Sequence, residues 1–267
     1  MLYLFWLLAI AASLGICLSL EVVGLAFAGC FILFAILGFF AVFVLYILLL
    51  WIFAPIVNRR EPEIKPYPFF RFVVLQTVQL ALFVGGVRIH TEGMEKIPEG
   101  TFLLVGNHRS GFDPFVALWA LRKYPLNFVS KKENFKIPFA APYMRRTGFL
   151  SIDRDDDRQA LRTIKAAAEY MEQGVASFGI YPEGTRSRTA EMLPFRNGCF
   201  KAAQRAKVPV VVASIHNSEN ITKQGPFIPT PVTLRICGVI DAETVCAQKA
   251  TQLGDEVRRM LEESLAK

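Results

Sequence analysis

One of only three histidines in the chain, His108, lies five residues before Asp113 in the stretch GNHRSGFDPF. The stretch follows an apolar run at 101–105, which predicts that it begins where a strand ends. A neutral imidazole can accept a proton near pH 7, and a carboxylate can hold its ring in one tautomer. The pair is therefore a candidate general base. Asp followed by Pro114 is also a typical helix N-terminus, so a purely structural role for Asp113 stays open.

A second polar cluster, YPEGTRSR at 181–188, also follows an apolar run. Sites of α/β proteins gather where strands end, so we expect the two clusters to lie together. Arg186 offers a planar guanidinium that suits a phosphate monoester. A residue without a side chain, such as Gly184, lets the backbone come close to a bound ligand.

The elements that must position these residues alternate between short β-rich runs and helical patterns after residue 86, which predicts an α/β fold with a mixed sheet of about seven strands flanked by helices. The predicted strands are 87–91, 102–105, 127–130, 150–153, 176–181, 209–215 and 233–240. The predicted helices are 114–123, 137–146, 156–173, 196–206 and 243–266.

The first 57 residues are almost entirely apolar, with Glu21 as their only charged side chain. We predict two transmembrane helices, at 2–20 and 31–54, joined by a turn near 19–24. A cleavable signal peptide is the competing interpretation, but the segment has no basic start. Asn58, Arg59 and Arg60 follow the second span and favour a cytoplasmic location for both ends of the hairpin. We therefore assign residues 1–60 to a membrane anchor.

Residues 61–86 form a Pro-rich linker, EPEIKP, and a third apolar segment. Arg71, Gln76 and Gln79 interrupt that segment roughly along one helical face, which favours an amphipathic helix at the membrane interface. An ordinary core helix of the next domain is the alternative. Residues 87–267 then form the predicted catalytic domain.

Charge and cysteine content narrow the class of partner. All 30 Lys and Arg lie after residue 57, together with all but one of the 23 Asp and Glu, so this part is basic and favours anionic partners. Nucleic acid is disfavoured, because the basic residues alternate with membrane-seeking segments and no nucleic-acid module is recognisable. The five cysteines lack metal-ligand spacing, so neither a zinc site nor a disulfide framework is expected, and a reducing compartment fits.

Four sequence blocks occur in an order that resembles the glycerophospholipid acyltransferases, and specifically the 1-acylglycerol-3-phosphate acyltransferase family. The resemblance covers about residues 85–240 and includes the H-x-x-x-x-D spacing of the first block. The fourth block lacks the second proline usual in the family and has Val212 and Ala213 in that region. The blocks are NHRSGFD at 107–113, GFLSIDR at 148–154, PEGTRSR at 182–188 and VPVVVA at 208–213.

The resemblance implies a membrane-bound enzyme of phospholipid biosynthesis that moves a fatty acyl group from acyl-CoA or acyl carrier protein to lysophosphatidate, with neither metal nor cofactor. We expect the enzyme at the inner cell membrane with membrane lipids as partners, and the positive flank after the second span predicts a cytoplasmic catalytic domain. His108 and Asp113 would be catalytic. The acceptor would be held by the third block and by the arginine of the second block, and Lys131 adds a positive charge. The substrate-binding residues are expected to be Lys131, Arg154, Glu183, Gly184, Thr185 and Arg186.

Several roles stay open. Glu183 would repel a phosphate, so it is expected to orient Arg186 or to bind an acceptor hydroxyl. Arg154 has a surface ion pair with Asp155–Asp157 as its alternative role. An aromatic groove with Phe112, Phe115 and Trp119 is expected to hold the acyl chain.

Alternatives to the leading function also stay open. Covalent catalysis is disfavoured, because Ser110 lies outside a G-x-S-x-G elbow and Cys199 has no evident base. The protein could instead transfer an acyl group to glycerol 3-phosphate or to another lysophospholipid. It could also be a non-catalytic lipid-binding protein or a lipid hydrolase.

Overall fold

The computed structural model describes residues 2–57, 68–189 and 191–266 of the chain. The helices are α1 (Leu2–Ser19), α2 (Leu25–Val57), α3 (Pro68–Val84), α4 (Asp113–Ala120), α5 (Ala141–Thr147), α6 (Asp157–Glu172), α7 (Phe200–Ala206), α8 (Ile221–Gln224), α9 (Ala242–Ala247) and α10 (Ala250–Leu265). The strands are β1 (Val87–Glu92), β2 (Leu103–Gly106), β3 (Leu126–Lys131), β4 (Leu150–Ile152), β5 (Ser177–Ile180), β6 (Val210–His216) and β7 (Thr230–Ile240).

The strands form one sheet in the order β1-β7-β6-β2-β5-β3-β4. All neighbouring pairs are parallel except β6 and β7, which are antiparallel. The central strands β2 and β5 are buried along their whole length, as expected for parallel strands covered on both faces. The predicted mixed sheet of seven strands is confirmed.

Helices cover both faces of the sheet. One face packs against a core that includes Ala167 of α6, Ala203 of α7 and Val257 of α10. The other face packs against Val78 of α3 and Val116 of α4. Each sheet face therefore has its own apolar core, and the loops at the strand ends are left free to carry polar groups.

Helices α1 and α2 form the predicted apolar hairpin. Trp6 stacks on Phe39, with ring centroids 4.6 Å apart, and Ala9 lies against Gly38, where a Cβ would come within 3.2 Å. Glu21 (φ 50°) and Gly24 (φ 67°) form the predicted turn. Helix α2 is longer than the predicted span 31–54, because its apolar sequence continues without a break from Leu25. By length and composition α2 qualifies to cross a membrane, whereas the described part of α1 is a shorter apolar helix.

Helix α3 packs against α4 and α5 of the catalytic domain, and its buried residues include Val78 and Leu82. Arg71 points into the protein and donates to the backbone carbonyls of Leu126 and Tyr124. One face of α3 therefore belongs to the core of the domain. The predicted positive flank at Asn58–Arg60 and the linker at 61–66 lie outside the described residues.

Several predicted helices differ from the structure, and the one predicted at 137–146 begins only at Ala141, as α5. The helix predicted at 243–266 is divided into α9 and α10, because Gln248 is extended (ψ 156°) and the backbone N–H of Lys249 donates to the side chain of Gln252 to start a new helix. The helix predicted at 196–206 begins with a 3₁₀ turn at Asn197–Cys199, and only α7 is α-helical. Periodicity alone does not reveal such local changes in hydrogen bonding.

Candidate active site

The carboxyl ends of four adjacent parallel strands carry the polar clusters. In the sheet, β2, β5, β3 and β4 lie side by side in that order. His108 follows β2, Glu183 follows β5, Lys131 ends β3 and Arg154 follows β4. Parallel strands end at the same edge of a sheet, so the fold brings together clusters that are up to 75 residues apart in sequence.

His108 and Asp113 form a direct pair. Nδ1 of His108 lies 2.8 Å from Oδ2 of Asp113, which is fully buried, while the imidazole is 14% exposed. The same Oδ2 accepts the backbone N–H groups of Arg109 and Ser110, each at 2.8 Å. A carboxylate in this position selects the Nδ1–H tautomer and leaves Nε2 as the ring nitrogen available to a substrate.

The carboxylate of Asp113 does not cap helix α4. Asp113 is the first residue of that helix, and its side chain turns back to the loop that carries His108 instead of accepting the helical N–H groups. The helix-cap interpretation is therefore not what the structure shows. The side chain fixes the imidazole and the backbone turn beside it.

The backbone of His108 is held from both sides by the segment that follows β5. Its N–H donates to Oε1 of Glu183 at 2.7 Å, and its carbonyl accepts the N–H of Ser187 at 2.8 Å. The other oxygen of Glu183 accepts the N–H of Leu193 at 2.9 Å. Burial raises the pKa of Glu183, and the two backbone N–H groups oppose that shift. Both carboxylate oxygens bind backbone, which favours a positioning role for Glu183.

The imidazole of His108 also lies in a stack of three rings. Tyr181 is parallel to it, at 4.4 Å between centroids and 9° between planes, and Phe128 stacks on Tyr181 at 5.6 Å. Burial, with the nearby charge of Asp113, raises the pKa of Tyr181 well above its usual value, so its phenol stays neutral. The stack limits rotation of the imidazole.

Two further contacts anchor the loop between β2 and α4. Asn107 is fully buried and makes two hydrogen bonds to the backbone of Ile215 on β6, at 2.8 and 2.9 Å. Arg109 pairs with Glu219 at 3.3 Å. The loop that bears His108 is thus tied to the neighbouring strand.

Cationic groups face His108 from the other loops. Nη1 of Arg186 lies 3.6 Å from the position that a Cβ on Gly111 would take. No carboxylate of the described ranges lies within 4 Å of the guanidinium of Arg154 or Arg186, so the predicted alternative pair with Asp155–Asp157 is not formed. Lys131 is 3.5 Å from Glu133 in an exposed pair. Two guanidinium groups in one cleft suit an anionic ligand.

Gly184 has a positive φ of 69°, and the side chain of Arg196 covers it. A Cβ there would lie 3.2 Å from Cδ and Nε of Arg196. Nη1 of Arg196 donates to the carbonyl of Arg154 at 3.3 Å. Burial and the charge of Arg196 lower the pKa of Arg154. Because Gly184 has no side chain, the side chain of Arg196 can pack directly over it.

A cavity of about 470 Å³ joins these groups. Its polar wall contains His108, Lys131, Arg154, Thr185 and Arg186, whereas Asp113, Glu183 and Gly184 do not line it. The apolar wall comes from several elements of the catalytic domain and from the hairpin. It includes Leu50 of α2, Val78 of α3, Phe115 and Leu118 of α4, and Tyr143 of α5.

The expected aromatic groove is therefore only partly formed by the predicted residues. Phe115 lines the cavity, but Phe112 and Trp119 do not. Phe112 instead packs against Gly85, where a Cβ would come within 3.1 Å of its ring, and Trp119 lies under the guanidinium of Arg122. Phe112, just before α4, and Trp119, within α4, therefore pack outside the cavity.

Other nucleophiles and metal ligands are poorly placed. Burial raises the pKa of the Cys199 thiol to about 12. The hydroxyl oxygen of Ser110 is buried and accepts the N–H of Phe112 at 3.2 Å. In the described ranges, no three His, Cys, Asp or Glu side chains form a group that could hold a metal ion. The geometry favours acid–base chemistry by His108 over a covalent intermediate.

Sequence patterns missed three features of this site. Tyr181 precedes the third block, but nothing in its spacing indicates a stack on His108. Ser187 acts through its backbone N–H, which its side-chain type cannot reveal. Leu50 belongs to the apolar hairpin, so its place in the cavity depends on how α2 packs on the domain.

Comparison with known proteins adds independent information. A family model described as acyltransferase matches residues 88–216. The chain is 28% identical over 184 residues to the 1-acyl-sn-glycerol-3-phosphate acyltransferase of Saccharomyces cerevisiae, which covers 67% of this chain and 60% of that relative. It is 29% identical over 167 residues to the enzyme of the same name from Salmonella typhimurium, covering 62% of this chain and 68% of the relative.

A third relative is the probable 1-acyl-sn-glycerol-3-phosphate acyltransferase of Mycoplasma pneumoniae, 30% identical over 185 residues, or 66% of this chain and 69% of the relative. Among solved structures, the 1-acyl-sn-glycerophosphate (LPA) acyltransferase of Thermotoga maritima is similar with a TM-score of 0.57 and 27% identity. That similarity covers 74% of this chain and 82% of the other.

Proposed function

This chain belongs to the 1-acyl-sn-glycerol-3-phosphate acyltransferase family, and from that premise we propose that it transfers a fatty acyl group from a thioester donor to 1-acyl-glycerol 3-phosphate, forming phosphatidate. The observation that carries the proposal is the cavity that His108 shares with Arg154 and Arg186. A base, two guanidinium groups and a long apolar wall are what a phosphorylated lipid hydroxyl and an acyl chain require.

In the proposed reaction, Nε2 of His108 takes the proton of the acceptor hydroxyl as its oxygen attacks the thioester carbonyl. Asp113 stabilises the imidazolium that forms. The tetrahedral intermediate then collapses, the carbon–sulfur bond breaks, and the imidazolium gives its proton to the departing thiolate. The acyl–oxygen bond replaces the acyl–sulfur bond, and His108 returns to its neutral form.

Lys131, Arg154 and Arg186 would bind the phosphate of the acceptor, and Thr185 would contact it from the same wall. Asp113 orients His108, while Glu183 and Gly184 shape the loop behind it. The donor is a fatty acyl thioester of coenzyme A or of acyl carrier protein, and no resident cofactor is needed for the steps above.

We further propose that the α1–α2 hairpin anchors the enzyme in the inner cell membrane, with the catalytic domain on the cytoplasmic side. The long apolar helix α2, and large exposed apolar side chains such as Leu33, Leu48 and Trp51, support the anchoring. The basic residues Arg59 and Arg60 support the orientation. A reporter fused at residue 60 should respond only from the cytoplasmic side, and a response only from outside would contradict this orientation.

The reaction is tested with purified protein, radiolabelled acyl-CoA or acyl carrier protein, and a matrix of acceptors. We expect label in phosphatidate when lysophosphatidate is supplied. Label in lysophosphatidate made from glycerol 3-phosphate would assign the alternative acceptor. Label released to water without an acceptor would identify a hydrolase, and no turnover with any pair would leave a lipid-binding protein.

A further inference from the structure

The last helix of the fold, α10, binds the segment that follows the third sequence block. Arg258 of α10 donates from Nη1 to the carbonyl of Leu193 at 2.9 Å and from Nη2 to the carbonyl of Met192 at 3.0 Å. Its guanidinium also lies over the ring of Phe195, at 5.4 Å from the centroid. Because a guanidinium is a rigid planar fork, it fixes two neighbouring carbonyls at once.

The same segment meets the catalytic loop through Glu183. The N–H of Leu193 donates to Oε2 of Glu183 at 2.9 Å, and Oε1 of Glu183 accepts the N–H of His108 at 2.7 Å. A continuous path of hydrogen bonds therefore runs from Arg258 on α10 to the backbone of His108. A displacement of Leu193 would be passed along this path to the base.

Glu183 depends on both ends of this path. Its side chain is buried, and each of its two oxygens binds one backbone N–H group. Burial raises the pKa of Glu183, whereas the positive charge of Arg258 is among the influences that lower it and favour the carboxylate. Arg258 thus fixes a donor to Glu183 and also supports its negative charge.

Helix α10 is a firm support for Arg258. Three side chains spaced four residues apart are fully buried on one face of the helix, within the core of the domain: Leu253, Val257 and Leu261. Gly254 lies against the segment at 192–197, since a Cβ on it would overlap the side chain of Asn197. The helix therefore approaches this segment closely, and Arg258 reaches it from a fixed position.

We propose that Arg258 is a positioning residue of the active site, which holds His108 in place through Leu193 and Glu183. The inference rests on the proposed catalytic role of His108. Arg258 does not line the cavity, so it acts without touching the substrate. It also lies outside all four sequence blocks. The position of the base thus depends on a helix that the blocks do not include.

Arg258→Met removes both donors and keeps an unbranched side chain over Phe195. We expect kcat to fall about fivefold at a nearly unchanged acceptor KM, because a misplaced base lowers the rate and not the binding of the acceptor. Arg259→Met is the matched control, since both arginines pair with a glutamate one turn ahead, at 2.9 Å for Arg258 and 3.0 Å for Arg259. Equal kcat values in the two folded variants would overturn the proposal.

A double-mutant cycle tests the path itself. If Arg258 acts through Glu183, Arg258→Met combined with Glu183→Gln should lose no more kcat than Glu183→Gln alone. Losses that multiply would show another route and would also overturn the proposal. Each kcat is measured with the donor and acceptor that the parent turns over best. A parent that does not acylate lysophosphatidate would therefore contradict the proposed substrate, while the ratio of variant to parent still decides on the path.

Amide hydrogen exchange tests the path without turnover. In Arg258→Met, peptides that cover 106–112 and 191–196 should both exchange faster than in Arg259→Met, while those of β3 should not change. Faster exchange at 191–196 alone would overturn the proposal, even in a protein without activity. If the Met variant does not fold, Arg258→Lys, which keeps the charge and one donor, replaces it. Unchanged exchange at 106–112 in the Lys variant would then have the same meaning.

Discussion

The imidazole of His108 lies parallel to the ring of Tyr181, with 4.4 Å between centroids and 9° between planes. The face of an aromatic ring attracts a cation within about 6 Å of its centroid. In the proposed reaction His108 becomes positively charged as it takes the hydroxyl proton. The stack would therefore stabilise that charged form, in addition to fixing the direction of Nε2.

Tyr181→Leu should lower kcat by about 3- to 30-fold, because loss of a ring contact to a cation costs about 0.5–2 kcal/mol. The KM for the acceptor should change little. These quantities are read from steady-state rates between pH 5 and 8.

Tyr181→Phe is the matched control. It keeps the ring, and it removes a hydroxyl group that is buried without a hydrogen-bond partner. Its kcat should stay near that of the parent, and its Tm should not fall. Equal losses in the Leu and Phe variants would rule out the stack as the cause.

Glu183→Gln should lower kcat about tenfold or more and leave the acceptor KM within about twofold. The amide has one acceptor oxygen for two backbone N–H groups, and a shift of the His108 backbone misplaces the base. Steady-state kinetics with varied acceptor measure both quantities. Glu191→Gln, an exposed carboxylate in the same loop, is the control. A large rise in acceptor KM at unchanged kcat would instead indicate direct contact between Glu183 and substrate.

Much of this fold was predictable because its strands are short, apolar and bounded by turn residues. All seven strands lie within three residues of their predicted starts. The two polar clusters also come together as expected, since β2 and β5 are parallel neighbours that end at one edge of the sheet. The breaks before α7 and α10 were not predictable, because they depend on single hydrogen bonds such as Lys249 to Gln252.

The site was predictable in its residue types and less so in its geometry. His108 and Asp113 were chosen because the four ordered blocks resemble the acyltransferase family, since the H-x-x-x-x-D spacing alone is common, and the structure places their side chains in contact. The role of Glu183 could not be read from the sequence, since its partners are backbone groups. The place of Leu50 in the cavity depends on the packing of α2 against α5, which no local pattern encodes.

Leu50→Trp should reduce kcat/KM for the longest accepted acyl chains about tenfold relative to short ones. The larger side chain enters the apolar wall of the cavity, and overpacking costs about 1–3 kcal/mol. Leu49→Trp is the control, because Leu49 is exposed on another face of α2. Competition assays with mixed acyl chain lengths make the comparison. Identical length profiles in both variants would place the acyl chain elsewhere.

His216 should make the protein less stable as the pH falls. Burial, with the nearby charge of Arg235, lowers the pKa of His216 below 6.5, although Glu92 and Glu219 oppose the shift. The unfolded chain therefore binds the proton more readily. The stability that neutral His216 contributes is present above pH 6.5 and is lost as the pH falls toward the lower pKa of the folded state.

The Tm of the parent minus that of His216→Gln should therefore decrease between pH 7.5 and 5.5. Differential scanning calorimetry at several pH values measures both Tm values. Subtracting one from the other removes the contribution of the other titrating groups, which the two proteins share. A difference that grows as the pH falls would mean that the folded state stabilises the imidazolium.

The most direct test of the account is the kcat of Asp113→Asn, measured with labelled acyl donor and lysophosphatidate and compared with Tm. The variant loses the negative charge that fixes the Nδ1–H tautomer and stabilises the imidazolium, so kcat should fall by about 100-fold or more. Arg186→Ala should instead raise the acceptor KM, because a phosphate contact exists before and during the reaction. We expect the Asp113→Asn protein to remain folded with a similar acceptor KM. A folded Asp113→Asn protein with near-normal kcat would contradict the account.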